Sequence, residues 1–400
     1  MRMGRIAVFT VFALNGLLIS SWTSRVPALS RQVHAGPGGM GLALLGTSIG
    51  LIVTAPFAGR LCARVGPRPV VVTSGLLAAL AVPLVGLAPS VPLLGCVMVL
   101  MGVLIGGLDV SMNIAAVAVI RQLDRPIMPA FHAAYSFGAL AGSLAAGWVV
   151  ALGWSPLRHF VFAGALGIVC VLVVARSVPG TRPAPVVKSD HPADRVVPPS
   201  RRTVLWLLAG VTLGSAIAEG ANGDWSALFL VRQRGVAESA ATIGFACFSV
   251  AMAVARLLGE RLERRWGAYR LLAGGAAVAA VGMFAVVLVP WVPMSYVGFA
   301  LAGAGLAFCF PVTLSLAGAA GRRTDGSGGE REISFVATVA YSGFLAGPPA
   351  IGAIAQASDL GVALGVVGLI TAFIVPMVVL SRWARDRERK AAEVTGATTG

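Results

Sequence analysis

Twelve runs of about 20 apolar residues constrain this chain more than any other feature, since each is long enough to cross a bilayer as a helix. They fall near 6–29, 40–62, 69–88, 92–119, 130–152, 158–175, 204–231, 240–260, 270–290, 294–318, 333–357 and 360–381. In lipid only helices or closed barrels satisfy every backbone group. These runs are too long and too evenly apolar for barrel strands, so an all-α membrane protein is expected. The rest of the composition agrees: 57% of residues are apolar, only 12% are charged, and the mean hydropathy is +0.86. A soluble chain of 400 residues needs far more charge to cover its surface.

The net charge of +15 could suggest a nucleic-acid partner, but its placement points elsewhere. With a cytoplasmic N-terminus, 25 of the 31 Lys and Arg fall on the cytoplasmic side and 5 on the other, leaving Arg256 inside a span. That asymmetry is the positive-inside rule, with both termini cytoplasmic. The basic balance then reports topology and contact with anionic lipid rather than DNA. Only Lys188 and Lys390 are lysines, against 29 arginines, a bias associated with GC-rich bacterial genomes; the expected location is the cytoplasmic (inner) membrane of a bacterium. Cys62, Cys96, Cys170, Cys247 and Cys309 have neither metal-ligand spacing nor a disulfide framework. The first run reads as a retained helix rather than a cleaved leader. No cofactor or metal is expected.

The chain repeats itself. Arg60-Leu61 with Arg64-Val65-Gly66 returns 201 residues later as Arg261-Leu262 with Arg265-Trp266-Gly267. Each copy follows the second apolar run of its half. Asn15-Gly16 and Trp22 are echoed by Glu219-Gly220 and Trp225, Gly102 by Gly303, and Tyr135-Ser136 with Gly142 by Tyr341-Ser342 with Gly347, all at offsets of 201 to 206. A duplicated helical bundle follows. The Pro-rich, charged stretch 177–203 reads as an extended cytoplasmic linker. It divides the chain into six-helix bundles at 1–176 and 204–381, with a cytoplasmic tail at 382–400 whose first part, 382–390, continues the last helix and lies along the inner headgroups.

Two six-span halves, a central linker and a basic Gly-containing turn after the second and eighth spans resemble the major facilitator superfamily. Gly59, Arg64, Gly66 and Arg68 match its turn pattern, whereas Ala63 stands where the family usually has Asp and forms a charge lock. The segments N-G-L-L-I-S-S-W-T-S-R-V-P at 15–27, L-D-V-S-M-N at 108–113, F-H-A-A-Y-S at 131–136 and E-G-A-N-G-D-W-S-A-L at 219–228 are similar to a branch named for a rhizopine-associated membrane protein. Met98 replaces the Arg that drug/proton antiporters carry in the fourth span, and the fifth span lacks their Gly-Pro signature, which weighs against multidrug export. The resemblance implies alternating access between two halves, with the first, fourth, seventh and tenth spans lining a central cavity.

Charges inside spans cost roughly 2.5–3.5 kcal/mol each even on a lenient scale, so they mark function by default. Asp109 lies in the fourth span with Asn113 one turn on, and Glu219 and Asp224 lie in the seventh. By the resemblance Asp109 and Glu219 face the cavity, where each can act as a proton-coupling group; the alternative is a buried acid held permanently by a neighbour. Arg25 and Asp224, near the outer ends of equivalent helices, are candidates for a salt bridge closing an outer gate. Alternatively Arg25 snorkels to headgroups and Asp224 caps a local turn. His132 suits a proton relay or an interfacial hydrogen bond. Trp22 and Trp225 suit an aromatic belt or a stacking wall for substrate. Asn15, opposite Glu219 in the repeat, is a candidate cavity donor. Gly59, Arg60, Arg64, Gly66, Arg68, Arg261, Arg264, Arg265 and Gly267 form cytoplasmic turns that signal topology, and their cations can also dock on helix C-termini of the other half.

The expected function is secondary active transport of a small organic solute, coupled to protons, by a monomer. ATP drive is disfavoured, because the chain has no G-x-x-x-x-G-K-[S/T] loop. A transporter-like sensor or scaffold without transport is the alternative. A membrane enzyme would need a clustered polar set at one face, which His34, His132, His159 and His191 do not supply.

Overall fold

Proline punctuates the chain where helices begin. Pro37, Pro67 and Pro156 occupy the first position of their helices, where a missing N–H costs nothing. The computed structural model describes residues 2–123, 127–181, 202–321 and 329–397, with side chains described as far as Glu388 and not at Glu330. The first half comprises α1 (Arg2–Thr23), α2 (Val26–Gln32), α3 (Pro37–Val65), α4 (Pro67–Val85), α5 (Val91–Leu123), α6 (Met128–Ala151) and α7 (Pro156–Val174). The second comprises α8 (Thr203–Arg234), α9 (Glu238–Trp266), α10 (Ala268–Leu288), α11 (Val292–Leu306), α12 (Cys309–Gly321), α13 (Glu330–Ala357) and α14 (Leu360–Ala397). Counting α11 and α12 together, twelve helical stretches among the described residues are long and apolar enough to cross a membrane. The expected linker lies outside the described residues over 182–201.

Two of the expected uninterrupted spans are broken. The first stops at Thr23 and restarts at Val26; the tenth stops at Leu306 and restarts at Cys309. Pro27 and Pro311 cannot donate to the carbonyls four residues back, those of Thr23 and Ala307, and each break falls there. Proline permits a break rather than forcing one, because Pro56, Pro83 and Pro376 sit inside continuous helices.

Helix packing repeats between the halves. In the first, α3 packs on α5, α1 on α6, and α4 on α5 and α7. In the second, α9 packs on α11, α8 on α13, and α10 on α11 and α14. The halves meet along two seams, α6 on α9 and α3 on α13. Small residues make these seams, because lipid supplies no hydrophobic force between helices and close backbone approach must replace it. A Cβ on Gly41 would lie 2.6 Å from Pro348 O and 3.1 Å from Gly352 Cα; one on Gly147 would lie 2.7 Å from Ser239 O.

The two basic turns share one backbone conformation. Gly66 has φ 88°, ψ 164°, and Gly267 has φ 78°, ψ 154°. Only glycine adopts this region without strain, and each amide then caps its preceding helix, on Cys62 O at 2.9 Å and Glu263 O at 2.8 Å.

Candidate functional site

Four elements from both halves bring ionisable groups together between the seams. Asp109 comes from α5, His132, Tyr135 and Ser136 from α6, Glu219 and Asp224 from α8, and Arg256 from α9. Tyr135 lies within electrostatic range of Glu219, Asp109, Arg256 and Asp224 at once, and Tyr341 of α13 within range of Asp109. Arg256 Nη2 stands 3.6 Å from Glu219 Oε1, and its Nη1 donates to Ser136 Oγ at 3.2 Å. One guanidinium therefore holds an acid of its own half and a hydroxyl of the other. Ser136 in turn donates to His132 O at 3.3 Å, and the His132 ring meets Phe12 edge-on, centroids 5.4 Å apart.

Asp109 and Asp224 are half-buried, and among the described residues neither carboxylate makes a hydrogen bond or ion pair. Asn113 donates to the backbone O of Asp109 at 2.8 Å, so the expected same-face pair meets through the main chain rather than the carboxylate. Asp109, Asn113, Glu219, Asp224, Arg256, His132 and Tyr135 all keep partial exposure, which places them on a crevice rather than in a sealed core.

The other expected cavity residues lie elsewhere. Asn15, Trp22 and Trp225 are at most 3% exposed and line no accessible crevice in this conformation. Asn15 Nδ2 points at Met112 Sδ, 3.7 Å away. Both indoles are packed inside the protein, so neither forms a belt at a membrane interface. Their Nε1 groups have no hydrogen-bond partner among the described residues.

Arg25 does not pair with Asp224. It sits at the corner where the first span breaks, almost fully buried, and its Nη2 donates to Trp154 O at 2.8 Å. Beyond the break after Thr23 the Arg25 side chain reaches the α6–α7 connection rather than Asp224. The ion pair across the halves at this end is Arg31 with Glu238, 2.7 Å apart. Arg232 adds bonds to Ser30 Oγ at 2.8 Å and Ala35 O at 3.3 Å, and Gly38 N donates to Gln356 Oε1 at 3.3 Å. Ser143 Oγ donates to Thr242 O at 2.8 Å and Ser48 Oγ to Phe344 O at 2.7 Å nearer the middle. Among the described residues, no hydrogen bond or ion pair joins the halves between the Arg256–Ser136 contact and the basic turns. The halves are pinned at the end remote from those turns.

The turn cations stay largely local. Arg60 lies over the Phe57 ring at 6.0 Å, and Arg264 pairs with Glu260 at 3.1 Å one turn back. Arg68 donates to Val178 O at 2.6 Å, just beyond α7 in the same half. Among the described residues, docking of turn cations on the other half is not seen, and Arg64, Arg261 and Arg265 are exposed and make no hydrogen bond or ion pair. Gly59 faces open space, with nothing within 4 Å of an added Cβ. Arg256 was legible only as the one cation inside a span, a signal that intramembrane charges mark function.

The Major Facilitator Superfamily profile matches residues 6–328 and 226–399. The chain belongs to that superfamily. Among curated relatives, an uncharacterized MFS-type transporter of Yersinia pestis is 31% identical over 90% of this chain and 91% of its own length. An uncharacterized transporter of Sinorhizobium fredii, y4wD, is 32% identical over 91% and 94%. Membrane protein MosC of Rhizobium meliloti is 30% identical over 90% and 85%, which agrees with the branch resemblance noted above. Among solved structures, a bacterial homolog of the human lysosomal transporter Spinster, inward-facing and occupied, superposes with TM-score 0.70 over 96% of both chains at 16% identity. The nucleoside transporter NupG gives TM-score 0.73 over 94% of this chain and 99% of its own at 12% identity. At those identities the likeness concerns the fold. The superfamily membership makes this chain a multi-pass membrane transporter with a small-molecule substrate.

Proposed function

We propose that this chain moves a small organic solute across the bacterial cytoplasmic membrane by proton-coupled alternating access, its halves of 1–176 and 204–381 rocking about the crevice. The observation that carries the reading is Arg256, held between Glu219 of its own half and Ser136 of the other. An ionised Glu219 retains the guanidinium; a protonated Glu219 releases it to strengthen or abandon the contact across the seam. Protonation at one residue thereby acts on the joint between the halves. Asp109, without a carboxylate partner among the described residues and facing the same crevice, is the second proton-coupling group, and His132 is the relay toward Arg256.

Substrate recognition falls to Asp224, Asn113, Tyr135 and Tyr341, which present one acid, one amide and two phenols. That set suits a neutral polar or partly cationic solute. Arg31 with Glu238 takes the outer-gate role expected of Arg25 with Asp224, since it spans the halves at the end away from the basic turns. Both termini are then cytoplasmic, the protein works as a monomer, and the membrane potential contributes about 2.3 kcal/mol per proton charge per 100 mV.

The test is flux in proteoliposomes loaded with a pH-sensitive dye and challenged with a panel of amines, polyols and organic acids. An active solute should move protons with it, and Glu219→Gln should uncouple that movement while leaving solute binding measurable. Binding without flux for every solute would favour a sensor or scaffold. Flux that ignores the proton gradient in both proteins would remove proton coupling.

A further inference from the structure

A groove of about 490 Å³ runs along the outer surface of the second half, between α9, α10 and α11, where Val254, Leu258 and Val278 are exposed. Its size falls in the roughly 300–1,000 Å³ range of small-molecule sites. The walls are apolar: Val254 and Leu258 from α9, Val278 from α10, and Phe308 at the break in the tenth span. The floor is low because Gly274 and Gly275 bring no side chain, and a Cβ on Gly274 would meet nothing within 4 Å. Trp266 and Arg270 line its mouth beside the basic turn.

Dimensions and charge define the occupant. From Arg270 to Val278 the groove follows α10 for about 12 Å at 1.5 Å per residue, close to the roughly 15 Å of hydrocarbon in one leaflet. Arg270 is exposed, and among the described residues it makes no hydrogen bond or ion pair. It stands at the start of α10, where the apolar wall ends, in the place a lipid phosphate occupies when its acyl chain fills the groove. A lone exposed indole beside it suits the same headgroup level.

The feature belongs to one half only. At the repeat offset of 201, Arg270 answers Pro69, Trp266 answers Val65, Gly274 answers Thr73 and Gly275 answers Ser74. The duplication supplied the helices; the nearest cation of the first copy, Arg68, is held on Val178 O, and the second copy alone carries the indole and the two glycines. We propose that this groove binds one anionic glycerophospholipid, its acyl chain against Gly274 and its phosphate on Arg270.

The test uses the full chain, purified and delipidated in detergent, titrated with dioleoylphosphatidylglycerol or dioleoylphosphatidylcholine and read by native mass spectrometry. The wild type should retain one phosphatidylglycerol in preference to phosphatidylcholine. Arg270→Gln should weaken phosphatidylglycerol about fivefold, the equivalent of roughly 1 kcal/mol for one basic side chain at a headgroup. Gly274→Phe, or the smaller Gly274→Leu, should weaken both lipids by filling the groove, with unchanged helicity and elution volume as the check on folding. Arg64→Gln, in the corresponding turn of the first half, should bind like the wild type. Equal binding of the two lipids by the wild type would overturn the site. So would undiminished phosphatidylglycerol binding in the Arg270 and Gly274 variants, or an equal loss in Arg64→Gln.

Discussion

Gly102 of α5 lies against the backbone of Thr47 on α3, so close that a Cβ there would come within 2.9 Å of Thr47 Cα. In the second half Gly303 of α11 lies against Phe248 of α9, with a Cβ 3.0 Å from Phe248 Cα. Both members of the pair are displaced by the same 201 residues as the basic turns. The duplication seen in sequence is thus also a duplication of contacts, although Thr47 and Phe248 share no side-chain chemistry.

Valine at either glycine should therefore destabilise the fold by about 1–3 kcal/mol, the usual cost of overpacking. Gly59→Ala, facing open space within the same helix as Thr47, should instead gain about 0.5–1 kcal/mol from helix propensity. Thermal midpoints in detergent check all three. Tolerance of Gly102→Val and Gly303→Val would mean the helices are not in contact there.

The turn glycines make a second, independent demand. Gly66 and Gly267 hold φ of 88° and 78° with extended ψ. Alanine at either should cost about 1–3 kcal/mol even though an added Cβ at Gly267 meets nothing within 4 Å. The same thermal assay separates the two causes, because strain persists where there is no clash.

At the closed end, Arg31→Glu and Glu238→Arg should each loosen the seam, and the double reversal should restore it. Arg31 is 61% exposed on its side chain and Glu238 20%, so the pair contributes no more than about 1 kcal/mol. That is enough to shift a balanced equilibrium without locking it. Spin labels at Leu152→Cys and Val236→Cys would read the distance between the halves. Failure of the double reversal to return the wild-type distance distribution would exclude the pair as a gate, and high salt should mimic the single reversals.

In the crevice, Arg256→Gln leaves Glu219 without its cation, and Glu219→Gln leaves Arg256 with only Ser136. Neutralising both removes the mismatch. The double variant should melt above the Arg256→Gln single, because an unpaired charge is more costly than an absent pair. Additive losses would show that the two side chains do not interact in the folded protein.

Much of this was open to sequence reading, for reasons of scale. Twelve spans and a two-half architecture follow from apolar length and backbone hydrogen bonding, which act within each segment. The glycines of the two turns announced their conformation by recurring beside arginine at one spacing. Asp109, Glu219 and Asp224 declared themselves as charges inside spans, and the structure gathers them with Tyr135 and Arg256.

What the sequence could not reach is how each helix is turned about its own axis. Arg256 and Glu219 are 37 residues apart on adjoining helices, and their meeting depends on the rotation of α8 against α9. The rotations of α1 and α8 likewise bury Trp22 and Trp225 inside the protein. The break at Pro27, among several prolines that break nothing, leaves Arg25 on Trp154 O and Glu238 to Arg31. Segment length and hydropathy are local quantities and the chain fixes them alone; the pairing of charges across a seam is decided by packing, which only the assembled bundle supplies.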